Sequence, residues 1–119
     1  MTHGSQLTLY ATRHRHHRVH QTVLAWVLDE IAAAGIHGAT VTEVSAGIDA
    51  EGRYHSARFF ELADQPVAVT VVAADAQVDT LLGHLKPGGV RLFYVRCPVE
   101  FDLLGGDLAA DSAPPETRN

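Results

Sequence analysis

One cysteine, Cys97, is all that the chain holds. That excludes an intrachain disulfide and any four-cysteine zinc site. Positive charge is scarce as well: 9 Lys and Arg stand against 14 Asp and Glu, for a formal net charge of -5. A nucleic-acid partner held by bulk positive charge is therefore not expected. No apolar run reaches the roughly 20 residues that a membrane-spanning helix needs, so membrane insertion is not expected. Residues 1–6 (Met-Thr-His-Gly-Ser-Gln) lack an apolar signal core, which makes the cytoplasm the expected compartment. Catalytic patterns are missing too. There is no Ser–His–Asp or Cys–His spacing, and Asp49 and Glu51 sit on a polar loop with nothing to raise a carboxylate pKa. Cys97 lies among apolar neighbours and reads as inert. An enzyme is not expected.

What is present is globular. Apolar residues make up 46% of the 119 positions and charged residues 19%, the balance of a single packed domain. Residues 6–12 alternate, Leu7, Leu9 and Ala11 against Thr8, Tyr10 and Thr12, as in a strand. After the polar run Arg13-His14-Arg15-His16-His17-Arg18, the residues Val23, Leu24, Val27, Leu28 and Ile31 recur at helical spacing. A helix is predicted from about Val19 to Ala34, with no clear cap at its start and with Gly35 as its stop. Trp26 falls off that stripe, which predicts a subunit contact or partial exposure.

Ala39–Val44 is rich in β-branched residues and reads as a second strand, followed by a loop at 46–52. An alternating arm at His55–Leu62 comes next. Val67–Ala74 is nearly all apolar, as expected of a central strand buried on both faces. Asp75 is the expected N-cap of a second helix carrying Val78, Leu81, Leu82 and Leu85. Lys86-Pro87-Gly88-Gly89 ends it, and Val90–Phe101 is the last strand.

The order strand, helix, strand, strand, helix, strand predicts an α+β, ferredoxin-like split βαβ fold, an antiparallel sheet with both helices on one face. The domain is expected over 5–102, with a flexible tail at 103–119. Two helices cover only one face of four strands, yet two strands are apolar on both faces. The economical cover for the second face is another copy of the chain, so a homo-oligomer is predicted.

The run Gly35-Ile-His-Gly-Ala-Thr-Val-Thr-Glu-Val44 resembles the helix exit and second strand of the PII signalling proteins. The segment from Val67 to Asp75, with Val78-Asp79-Thr80, is similar to that family's entry into the second helix. Gly52-Arg53-Tyr54-His55-Ser56-Ala57-Arg58-Phe59-Phe60-Glu61-Leu62 resembles a PII-like sister family of uncharacterised domains. The resemblance spans about residues 6–101. It implies a homotrimer that binds a small anionic effector, usually an adenine nucleotide, in the clefts between subunits. A loop after the second strand, here 46–65, would report ligand state to a membrane transporter or a metabolic enzyme. It further implies that Thr40 borders the nucleotide cleft and that Gly47 opens the signalling loop. Gly89 would form the turn before the last strand, and Arg96 would approach phosphate. The chain departs from the family in its short connection 83–89, where the classical proteins carry a longer glycine-rich phosphate loop.

The residues themselves offer further candidates. Arg53 and His55 share one side of an extended arm and, with Arg58, form an anion site or a solvated edge. Lys86, Gly88, Gly89 and Arg91 offer a cation and backbone amides to phosphate, or simply a turn. His16 and His20 have the i, i+4 spacing that places two imidazoles on one helix face. A metal-tolerance trimer similar to the copper-tolerance proteins is therefore an alternative reading, although Arg13, Arg15 and Arg18 would repel a cation and no metal site is assigned. A dimeric ferredoxin-like enzyme is a third.

Overall fold

The computed structural model describes residues 1–13, 15–44, 46–48, 54–56 and 66–105, those of 46–48 and 54–56 by backbone alone. The long strands are β1 (Thr2–Thr12), β4 (Thr40–Glu43), β7 (Pro66–Ala73) and β8 (Phe93–Phe101). They form one antiparallel sheet in the order β4-β7-β1-β8. Helices α1 (Val23–Ala33) and α2 (Asp75–Leu85) cover one face. This is the α+β ferredoxin-like arrangement that the element order predicts. Two short pairs decorate it, β2 (His16–Arg18) with β3 (Gln21–Thr22), and β5 (Ala46–Ile48) with β6 (Tyr54–Ser56).

β1 alternates as its sequence dictates. Ser5, Leu7, Leu9 and Ala11 point under the helices and are buried, while Gln6 and Tyr10 lie on the open face. The strand begins at Thr2, four residues before its alternation does, because pairing with β8 runs on to Thr2 opposite Phe101. Gly4 allows this, since a Cβ there would collide with the Ala73 carbonyl oxygen.

Helix α1 starts later than the periodicity indicates. The β2–β3 hairpin takes up residues 16–22, and the Thr22 hydroxyl then accepts a hydrogen bond from the Ala25 amide at 3.1 Å. The α1 residues that are buried are Val23, Trp26, Val27 and Ile31, with Leu24 and Leu28 packed beside them. Trp26 is therefore a core residue, 5% exposed, and not a subunit contact. At the other end Gly35 takes a left-handed φ of 81°, and the Ile36 amide reaches back to the Ile31 carbonyl at 3.2 Å, closing the helix.

Helix α2 is capped differently from expectation. Ala74 occupies the N-cap, and Asp75 is the first helical residue. Gln77 does the capping work: its Oε1 accepts from the Ala74 amide at 3.3 Å, and its Nε2 donates to the Gly35 carbonyl at 2.8 Å. One side chain thus joins the exit of α1 to the entry of α2.

β7 is central in the sheet but is not buried on both faces within one chain. Val67, Val69, Val71 and Ala73 are buried under the helices, whereas Val72 is 42% exposed on the other side. The regular part of the last strand begins at Phe93, although its alternation holds. Tyr94 sits beside Leu9 on the helix side and Phe93 beside Tyr10 on the open side. Of the arm expected at 55–62, the strand covers Tyr54–Ser56; residues 57–65 lie outside the described residues. So does 106–119, most of the expected tail.

Candidate functional site

The path of the chain sorts its connections between the two ends of the sheet. Three of them, 13–22, 44–65 and 86–92, leave from one end. Contacts tie that end together: Arg13 Nη2 lies 3.5 Å from a Glu43 carboxylate oxygen, and the Val44 amide donates to the Pro66 carbonyl at 3.1 Å. Gly88 abuts the Trp26 indole so closely that a Cβ there would overlap the ring. The opposite end carries the Gln77–Gly35 bond and the start of α2.

A groove of about 500 Å³ opens at the three-connection end, between the C-terminal half of α2 and β8. Its walls are apolar: Leu9, Leu82, Leu85, Val90 and Leu92. Lys86 and Tyr94 add polar groups to that wall, an ammonium and a phenol. A short 3-10 turn, Lys86–Gly88, ends α2, and Gly89 then reverses the chain with a left-handed φ of 76°. Apolar walls with one cation at the rim suit a ligand that has a flat, weakly polar body and an anionic end.

Trp26 anchors the other side of the Lys86–Gly88 turn. Its ring stacks on His17 of β2 at a centroid distance of 4.0 Å and an angle of 13° between planes. The hairpin and the turn therefore lean on the same indole. Periodicity alone does not single this out, because the apolar arc of α1 is wide and Trp26 lies at its edge.

Arg96 lies elsewhere. Its place in the alternation of β8 turns it under α2, where Nη1 donates to Asp79 at 2.7 Å and Nε donates to the Ser5 hydroxyl at 2.9 Å. Nη2 sits 3.5 Å from an Asp75 carboxylate oxygen, and the Ser5 hydroxyl itself donates to Asp75 at 2.5 Å. The hydrogen bond to Asp79 raises the guanidinium pKa; desolvation opposes it, and the charges of Asp79 and Asp75 add to the rise. Asp75 and Asp79 stand at the first turns of α2, and Lys86 follows its last. With 1.5 Å of rise per residue, about 10–16 Å of helix separates the two cations. Within one chain, Arg96 is a clamp between β8 and α2, and the phosphate contact expected of it has its donors already engaged.

The other candidates divide plainly. Lys86, Gly88, Gly89 and Arg91 share one connection beside the groove. Thr40 is on the open face of β4, opposite Thr70, and does not meet them in a single chain. Gly47 and His55 are register partners in the β5–β6 pair. Arg53 and Arg58 lie outside the described residues. His16 belongs to a strand and His20 to the turn after it, so the helix that would have aligned two imidazoles is not there. Among the described residues no group of three or more His, Cys, Asp or Glu is placed to hold a metal ion.

The family model DUF190, "Uncharacterized ACR, COG1993", matches residues 4–96. No curated relative matches the sequence. Among solved structures, the chain is similar to CPII, a nitrogen regulatory PII-like protein from Thiomonas intermedia K12, solved bound to ADP, AMP and bicarbonate. The TM-score is 0.62 at 15% identity, over 82% of this chain and 87% of that one. The apo form of CPII aligns with a TM-score of 0.51 at 16% identity, over 82% and 92%. A candidate PII-like signalling protein from Thermus thermophilus, TTHA0516, aligns at 0.55 and 14%, over 83% and 90%. At these identities the likeness is one of fold.

Proposed function

This chain belongs to the DUF190 family and has the PII-like fold, and from that premise we propose that it is a regulatory trimer. It binds a small anionic effector, an adenine nucleotide or similar, and passes the signal to a partner protein through residues 46–65. The single observation that carries this reading is the convergence of three connections on one end of the sheet, where an apolar groove meets Lys86. The groove matches a purine and the ammonium a phosphate. CPII, which shares the fold, was solved with ADP and AMP bound.

The open face of the sheet supports the trimer. Phe93 is 62% exposed, and Tyr10, Val95 and Val72 are exposed on the same face. Phe93 and Tyr10 already pack on one another with ring centroids 5.9 Å apart. Covering that face with further copies would bury apolar surface worth about 25 cal/mol per Å². The resemblance to PII proteins implies that Thr40 borders a cleft between copies; within a single chain it does not meet the Lys86 connection. Among the described residues no helix is long and apolar enough to cross a membrane, so a membrane transporter would be met as a partner. We read the chain as a binding protein and not a catalyst.

Calorimetric titration with AMP, ADP and ATP, alongside a solution mass, tests the reading. Binding at micromolar to millimolar ligand by a species of three chains is expected. A monomer, or a trimer that binds none of the three, overturns it.

A further inference from the structure

Residues 13–18 hold three arginines and three histidines and no carboxylate, in a chain whose net charge is -5. The described part of this run is folded, not loose. His16 pairs with Thr22 and Arg18 with Gln21, the Val23 amide donates to the Arg15 carbonyl at 2.7 Å, and His17 lies flat on Trp26. Two described acids near the hairpin are engaged: Glu43 faces Arg13, and Asp29 accepts from Gln21 Nε2 at 2.7 Å. Arg18 is exposed and forms no ion pair with a described carboxylate. Its Nε donates to His17 Nε2 at 3.4 Å.

That bond sets the tautomer. With Nε2 accepting, the proton of His17 is on Nδ1. Nδ1 is buried without a partner, and so is Nε of Arg13; they are the two such side-chain atoms among the described residues. Buried polar groups normally find partners. Both atoms are buried, so what this segment offers an anion at its surface is the exposed guanidinium of Arg18, held at Nε by His17, with exposed His16 beside it. Such a set repels cations and matches an anion with several oxygens, to which arginine can offer two parallel donors.

We propose that the β2–β3 hairpin is a phosphate-binding site distinct from the groove, selecting a multiply charged phosphoryl group, with Arg18 as its principal donor and His16 and His17 beside it. Because the hairpin rests on Trp26 and Gly88 abuts the same ring, occupancy here bears on the turn that carries Lys86.

Inorganic pyrophosphate is the probe, titrated into the full chain by calorimetry and followed by emission of the sole tryptophan. Saturable binding with a change in Trp26 emission is expected. Arg18→Gln should weaken it on the order of tenfold with unchanged thermal stability. His17→Phe keeps an aromatic ring on Trp26 while removing the nitrogen that holds Arg18 Nε, and should also weaken it. No binding by the parent chain, or equal affinity in Arg18→Gln, overturns the proposal. Adenosine, which has no phosphate, reads the groove separately: failure of the chain to bind adenosine and nucleotides alike counts against the effector reading and leaves the pyrophosphate result to stand or fall alone.

Discussion

Gly88 and the indole of Trp26 are in such close approach that no side chain fits between them. Gly88 lies in the turn that ends α2, and Trp26 is buried in α1 against His17. The contact locks the turn beside the groove to the core. Gly88→Ala would place a methyl group inside the ring, and the neighbour on that side is a buried aromatic that has little room to give. Overpacking of this kind costs about 1–3 kcal/mol, so a fall of about 4–20 °C in Tm is expected for a domain of this size. Thermal unfolding followed by tryptophan emission checks it, since the shift should come with a changed emission maximum.

Arg96 joins β8 to α2 through Asp79, Asp75 and Ser5. Arg96→Met should destabilise the chain by about 1 kcal/mol, a modest figure because the carboxylates are largely exposed. The pH dependence follows from the sign of its shift. A cation with a raised pKa contributes stability fully below its unfolded value and loses it only as pH rises through the folded one. For arginine both lie far above neutrality. The stability difference between Arg96→Met and the parent chain should therefore be level from about pH 7 to 10. Denaturant unfolding at several pH values measures it, and a difference that fades within this window would show that Arg96 is not the group responsible.

Val95 lies on the open face next to Thr8 and is 43% exposed. Val95→Glu would introduce a carboxylate into a face that has no described basic residue facing outward, while leaving the helix-side core untouched. The monomer should keep its secondary structure and its cooperative unfolding. The proposed trimer should dissociate, because a buried unpaired charge costs several kcal/mol per copy. Light scattering at matched concentrations reads the mass directly. A trimer that survives would move the interface to another surface.

How far the sequence displays this architecture can be traced through particular residues. Leu7, Leu9 and Ala11 write β1 by simple alternation, and Gly35 marks the end of α1 because its left-handed backbone has a residue-specific cost. Trp26 is harder to place. At about 100° per residue, Val23, Trp26, Val27 and Ile31 span one arc, and Leu24 and Leu28 extend it on one side. The apolar set is wide enough that its centre is set by what packs against it, and Gly88 is 62 positions away in sequence. The start of α1 is obscured for a related reason: residues 16–22 pair as a hairpin, which no local propensity of His-His-Arg announces. Arg96 shares the parity of Leu92 and Tyr94, so its place on the helix side is legible. Its partners Asp75 and Asp79, four apart on α2, are not, because only the fold brings them opposite.

Lys86 supplies a cation to a groove otherwise walled by Leu82, Leu85, Val90 and Leu92. In the proposed function it holds the phosphate end of the effector while the apolar walls hold the base. Removing the charge should then separate the two parts of the ligand. Lys86→Gln is expected to weaken ADP binding about tenfold, the equivalent of about 1.4 kcal/mol, with adenosine binding nearly unchanged. The side chain is exposed and carries no core packing, so stability should shift by less than about 0.5 kcal/mol. Parallel titrations of both ligands against both proteins make the comparison. Equal losses for ADP and adenosine would mean that Lys86 shapes the groove and does not read phosphate, and no loss for either would place the nucleotide elsewhere on the chain.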